Sequence, residues 1–62
     1  MSANLIMRYF EHDHLPEHLQ PVAAKFAELA AWVDQMLTDG PEKSVALRKL
    51  LEGKDAAVRA AL

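Results

Sequence analysis

Arg8, Tyr9 and Phe10 follow one another near the start of the chain, with His12, His14 and Pro16 just behind. A guanidinium beside two aromatic rings can hold a planar, negatively charged ligand. The rings stack on a base and the cation meets a phosphate. The plainer role for the same rings is to anchor the N-terminus, because large aromatic surface is readily buried. Both roles can hold at once, with one ring packed inward and the other turned to a ligand.

His12, His14 and His18 raise the question of a metal. His14 and His18 are four apart, as helix-borne ligand pairs are, but Pro16 lies between them. Only Asp13 or Glu17 stands near as a further ligand. Solvated loop histidines are the simpler reading, and no metal or other cofactor is expected.

A second group with chemistry is Glu42-Lys43-Ser44. At the start of a helix the free N–H groups and the dipole favour an anion, and Lys43 and Ser44 add a charge and a hydroxyl. Arg48, four after Ser44, extends a cationic strip on the same face, whereas Lys49 lies elsewhere on the helix. Lys25 falls away from the apolar stripe of its own segment. Asp55 and Arg59, four apart, are placed to pair at the surface. The bland alternative is that Glu42 caps and Lys43 is solvated, the usual state of a lysine. No nucleophile–base–orienter set appears: Ser2 and Ser44 have no histidine and acid at telling positions. Carboxylates with an obvious cavity and glycine-rich phosphate loops are also missing, so an enzyme is not expected.

Two helical segments must position these groups. Leu19, Val22, Phe26, Leu29, Val33 and Met36 recur at steps of 3, 4, 3, 4 and 3, which is coiled-coil spacing. Ala23, Ala30 and Leu37 widen the stripe. The pattern predicts a first helix over 17–38, with Pro21 either opening it or kinking a leading turn. Thr38-Asp39-Gly40-Pro41 breaks the chain, and Asp39 with Glu42 fits a capping box. A second helix is predicted over 41–61, its apolar face formed by Leu47, Leu50, Leu51, Val58 and Ala61, with Val45 nearby. Lys54 interrupts that face, and Gly53, about 1 kcal/mol worse than alanine in a helix, predicts fraying or a bend. Residues 1–16 form an arm and turn, whose run Leu5-Ile6-Met7 is too short to assign by pattern. The fold class is all-α: a short N-terminal arm and an antiparallel two-helix hairpin, one domain over 1–62.

Size and charge narrow the function. A 62-residue chain buries only about 60% of its unfolded surface and needs disulfides, a metal or self-association to be secure. There is no cysteine, and self-association is the expected remedy. The stripe on the first helix is wide enough for both the second helix and another chain, and Trp32 lies off its main line. A net charge of −2 argues against long nucleic acid, which calls for a basic face, but leaves room for a small anion. No apolar run approaches the roughly 18 residues of a membrane span, and the N-terminus lacks the pattern of a signal peptide. A cytoplasmic location is expected.

Arg8-Tyr9-Phe10, His14 with Pro16, and Glu42-Lys43-Ser44-Val45-Ala46-Leu47-Arg48-Lys49-Leu50 together resemble the small phage anti-CBASS cyclic-oligonucleotide sponges, related to the Thoeris anti-defence sponges. The likeness covers most of the chain through short motifs. It implies a helical protomer assembled into a homo-hexamer that binds cyclic dinucleotides, and in some members cyclic trinucleotides, between protomers without cleaving them. The site of action would be the host bacterial cytoplasm. By that resemblance Tyr9 stacks on a base, Arg8 meets phosphate or a base edge, and Lys43 and Ser44 line a pocket. The candidate ligand-binding set is Arg8, Tyr9, Phe10, Lys25, Lys43, Ser44 and Arg48. Many relatives end with a longer helix that carries a Trp and an Asn after a Lys-Leu-Glu-Glu stretch. Here the corresponding region, Leu51 to Arg59, has neither. The competing reading is a helical homo-oligomerisation module with no small-molecule ligand.

Overall fold

A proline stands in the first turn of each α-helix. A computed structural model describes residues 5–62, so the first four residues of the expected arm, Ser2 among them, lie outside the described part. Leu5–Phe10 winds as a 3₁₀ helix. Helix α1 spans Gln20–Met36 and helix α2 spans Pro41–Ala60, and no strand occurs among the described residues.

Pro21 lies in the first turn of α1, where its missing N–H leaves no intrahelical bond unmade. The residues expected to begin that helix form a separate turn instead, with the Leu19 N–H donating to the Pro16 carbonyl at 2.9 Å. Gln20 ties this turn down: its Nε2 donates to the Leu15 carbonyl at 2.9 Å. At the other end α1 stops at Met36, and Leu37 is already extended. Pro41 disfavours helical geometry in the residue before it, and Gly40 is accordingly extended at φ 164°, ψ 177°.

The capping box does not form. Gly40, not Asp39, is the N-cap of α2, and no side chain caps it. Asp39 turns its carboxylate to Lys43 instead, with Oδ1 2.6 Å from Nζ. Gly53 does not fray the helix either, since α2 runs on to Ala60. A Cβ at Gly53 would stand 3.2 Å from Phe26 Cε1. The glycine lets that ring lie close against α2, and the packing offsets its poor helix propensity.

Lys43 meets Asp34 while Gly53 meets Phe26, so the helices run antiparallel. The core lies between them and the 3₁₀ segment: Phe10, Ala30, Val33 and Leu47 are buried, flanked by Ile6, Met7, Phe26, Leu50 and Leu51. On α1 the most buried positions are alanines, Ala23 and Ala30, which allow close approach of the neighbouring backbones. The larger residues Leu29, Trp32 and Met36, at steps of 3 and 4, point outward and are exposed, Trp32 by 56%. Among the described residues no helix is long and apolar enough to cross a membrane.

Lys43, Leu47, Leu50 and Lys54 follow one another at steps of 4, 3 and 4, so both lysines stand in the inward row of α2. They are only 5% and 9% exposed. A buried ammonium is costly unless its donors are met, and here both find oxygens. Lys43 Nζ donates to the Asp34 carbonyl at 2.6 Å and to Asp39 Oδ1, and lies 3.2 Å from Asp34 Oδ1. Lys54 Nζ donates to the Tyr9 carbonyl at 2.5 Å. Lys54 thus continues the inward row that it was expected to interrupt.

Candidate functional site

Consecutive residues of the 3₁₀ helix go to opposite environments. Phe10 is 2% exposed and sits in the core, whereas Tyr9 is 59% exposed. The Arg8 guanidinium carbon lies 6.0 Å from the centre of the Tyr9 ring, within the range of a cation–π contact. Arg8 is exposed, and no carboxylate among the described residues pairs with it. A flat ring and an unpaired planar cation therefore stand together on the surface. That pairing can stack on a base and hold a phosphate in two-pronged fashion. Phe10 does not share the ligand face. It is the anchor, with Lys54 Nζ 5.9 Å from its ring centre.

The other expected contacts are dispersed. Lys25 is exposed and faces Glu28 at 3.9 Å. Ser44 is exposed, its N–H donating to the Gly40 carbonyl at 3.1 Å as the first helical bond of α2. Arg48 is exposed and pairs with Glu52 at 3.9 Å, a carboxylate that also faces Lys49 at 3.6 Å. Exposed pairs of this kind are weak, so these cations can exchange partners for a ligand phosphate.

Lys43 does not line a ligand pocket in this protomer. An ammonium has three donors, and Lys43 directs its own at the oxygens of Asp34 and Asp39. The hydrogen bond from Asp39 raises its pKa above the ordinary 10.5; burial opposes this, and Asp34 adds to it by hydrogen bond and charge. It stays charged and turned inward.

Within one protomer no hydrogen bond, ion pair or ring contact joins Arg8 and Tyr9 to Ser44 or Arg48. Lys54, which holds the Tyr9 carbonyl, is eleven residues after Lys43, about 16 Å along the helix at 1.5 Å per residue.

The histidines do not converge. His12 Nδ1 lies 3.3 Å from the Phe10 carbonyl, and His14 and His18 are exposed. Among the described residues no group of three or more histidine or acidic side chains is placed to hold a metal. His14 does border a cleft of about 290 Å³ with Leu15, Lys54, Asp55, Val58 and Arg59. Asp55 leans to Lys54, Oδ1 to Nζ 3.3 Å, rather than to Arg59. The cleft mixes both charge signs beside a helix C-terminus, whose dipole disfavours anions.

Lys54 is the residue that sequence reasoning missed. The signal was its spacing: it repeats the 3–4 rhythm of Lys43, Leu47 and Leu50. Comparison with protein-family models, curated proteins and solved structures returned no match.

Proposed function

We propose that this chain is a non-catalytic sponge that binds cyclic dinucleotides, and cyclic trinucleotides as a second ligand class, and so sequesters the signals of CBASS-type anti-phage defence in the bacterial cytoplasm. The observation that carries the reading is the exposed Arg8–Tyr9 pair, a ring and an unpaired guanidinium held at the surface by a buried neighbour. The sequence resemblance to anti-CBASS sponges, which includes the same Arg8-Tyr9-Phe10 stretch, supports it as well. Capture works by stoichiometry. A ligand whose bases stack and whose phosphates are paired is withdrawn from the free pool, with no bond made or broken.

The pocket would be completed between copies. Arg8 and Tyr9 supply one wall, while Ser44, Arg48 and Lys25 offer exposed polar groups for a neighbouring protomer to contribute. The exposed Leu29, Trp32 and Met36 give the assembly an apolar contact, and a hexamer is the form that the resemblance suggests. A thermal-shift panel of cyclic di- and trinucleotides tests the reading. A ligand at about 100 times its Kd stabilises the fold by about 2.7 kcal/mol, and the recovered nucleotide should be intact. A flat panel sinks the proposal.

A second reading is favoured by the apolar stripe alone: a helical homo-oligomerisation module with no small-molecule ligand. It expects the same assembly and a flat panel.

A further inference from the structure

The face that presents Arg8 and Tyr9 is held from beneath by a residue far away in sequence. Lys54 Nζ donates to the Tyr9 carbonyl at 2.5 Å across 45 residues of chain. The same ammonium lies 5.9 Å from the Phe10 ring centre and 3.3 Å from Asp55 Oδ1. Near the end of a 3₁₀ helix, carbonyls lose their helical donors and need partners from elsewhere. An ammonium supplies a charge-assisted bond, among the stronger kinds. The peptide between Tyr9 and Phe10 is thus fixed twice, by its carbonyl on Lys54 and by Phe10 in the core. What remains free at Tyr9 is chiefly the exposed ring.

We infer that Lys54 is a positioning residue for ligand capture: it holds the Tyr9 peptide so that the ring and Arg8 meet a nucleotide already ordered. This rests on the cyclic-nucleotide reading above. The physical gain is preorganisation, because a segment ordered only on binding takes its ordering cost out of the affinity. Lys54 serves this role rather than that of a ligand contact. It is nearly buried, with Asp55 beside it to answer its charge.

A double-mutant cycle tests the inference, read by calorimetric titration of a cyclic dinucleotide with circular dichroism in parallel. Lys54→Met keeps the apolar stem and removes the ammonium. The expected result is affinity lowered about tenfold with helicity retained, most of it recovered in Lys54→Arg. In a Tyr9→Ala background, Lys54→Met should cost less than about twofold, since residues acting through one another are not additive. Unchanged affinity in Lys54→Met overturns the inference. So does a loss that persists undiminished without Tyr9, which makes Lys54 a general support of the fold. If Lys54→Met does not fold, Lys54→Gln, which keeps a donor amide on a shorter stem, takes its place in the cycle. If the unsubstituted protein binds no cyclic dinucleotide, the functional reading falls by itself. The clip is then read from the NMR signals of the Tyr9 ring, the only tyrosine in the chain. Averaging of its environment in the Lys54 variant supports the clip, and unchanged signals overturn it.

Discussion

Lys43 Nζ lies 2.6 Å from the Asp34 carbonyl oxygen, so the first turn of α2 closes the last turn of α1. The final carbonyls of a helix have no intrahelical partner, and a cation near them also suits the helix dipole. Removing this ammonium takes one charged donor from the Asp34 carbonyl and from its carboxylate, which is only 12% exposed. Lys43→Met should therefore lower the thermal midpoint clearly more than Lys49→Met, which loses only an exposed pair with Glu52.

The same contact carries a pH signature. Folding raises the Lys43 pKa above 10.5, with the Asp39 hydrogen bond the largest cause. A raised pKa means that the folded state holds the proton more tightly than the unfolded chain. The stabilisation is complete below 10.5 and is lost as pH climbs through the higher folded value. The stability gap between wild type and Lys43→Met should be level from neutral pH to pH ~9 and shrink above 10.5. Denaturant melts at stepped pH measure it. A gap that stays constant into strong alkali contradicts the assignment.

Phe10 fastens the N-terminal segment to the hairpin, packing with Ala30, Val33 and Leu47. Truncating a buried phenylalanine costs about 3–5 kcal/mol, a large share of the 5–15 kcal/mol typical of a whole domain. Phe10→Ala should unfold the protein or release the segment, whereas Phe10→Leu should be milder. Hydrogen exchange resolves the two outcomes. Protection should disappear first at Leu5–Phe10, while α1 and α2 keep theirs for as long as the hairpin survives.

The order of the two α-helices was legible in the residues, whereas the 3₁₀ turn of Leu5–Phe10 was not, because its apolar run is too short to carry a period. The 3–4 spacing from Leu19 to Met36 marks α1, and Pro41 opens α2 where expected. The split between Tyr9 and Phe10 was legible only as a pair of options, because either ring has the area to be the anchor. The inward lysines were hidden by their chemistry: a charge reads as solvated unless its oxygens are known. Those of Lys43 come from Asp34 and Asp39, the one across the interhelical turn and the other within it. Lys54 uses a backbone carbonyl, which no residue type advertises. The capping box failed for a related reason, since Asp39 had a better partner in Lys43 than in the N–H groups of α2.

Leu29, Trp32 and Met36 form an exposed apolar row on α1, turned away from the buried Ala23 and Ala30. Single exposed apolar residues need no explanation, but a continuous row of large ones marks an interaction surface. The expected consequence is self-association through this row. Trp32→Glu should shift the protein to smaller species in sedimentation velocity, and Leu29→Glu should act in the same direction. Trp32, the chain's only tryptophan, also reports directly: its emission should move to longer wavelength on dilution as the ring meets water. A protein that is monomeric at micromolar concentration, with emission independent of dilution, rules the surface out.

Tyr9 and Arg8 decide between a sponge and a bare assembly module. Stacking needs the ring and not the hydroxyl, so Tyr9→Phe should keep most of the affinity for a cyclic dinucleotide. Tyr9→Ala should lose about 1–3 kcal/mol per stacked base, roughly 5- to 150-fold. Arg8→Ala should weaken binding too, and its effect should shrink in high salt because the missing part is attraction to phosphate. The Tyr9→Phe variant should show the same salt dependence as wild type, since it changes no charge. Oligomer size is the control. Tyr9 is exposed and Phe10 is the anchor, so Tyr9→Ala should keep the wild-type assembly while losing ligand. If instead it falls apart and binds as before per folded chain, the ring belongs to the subunit contact and the assembly module is the better account.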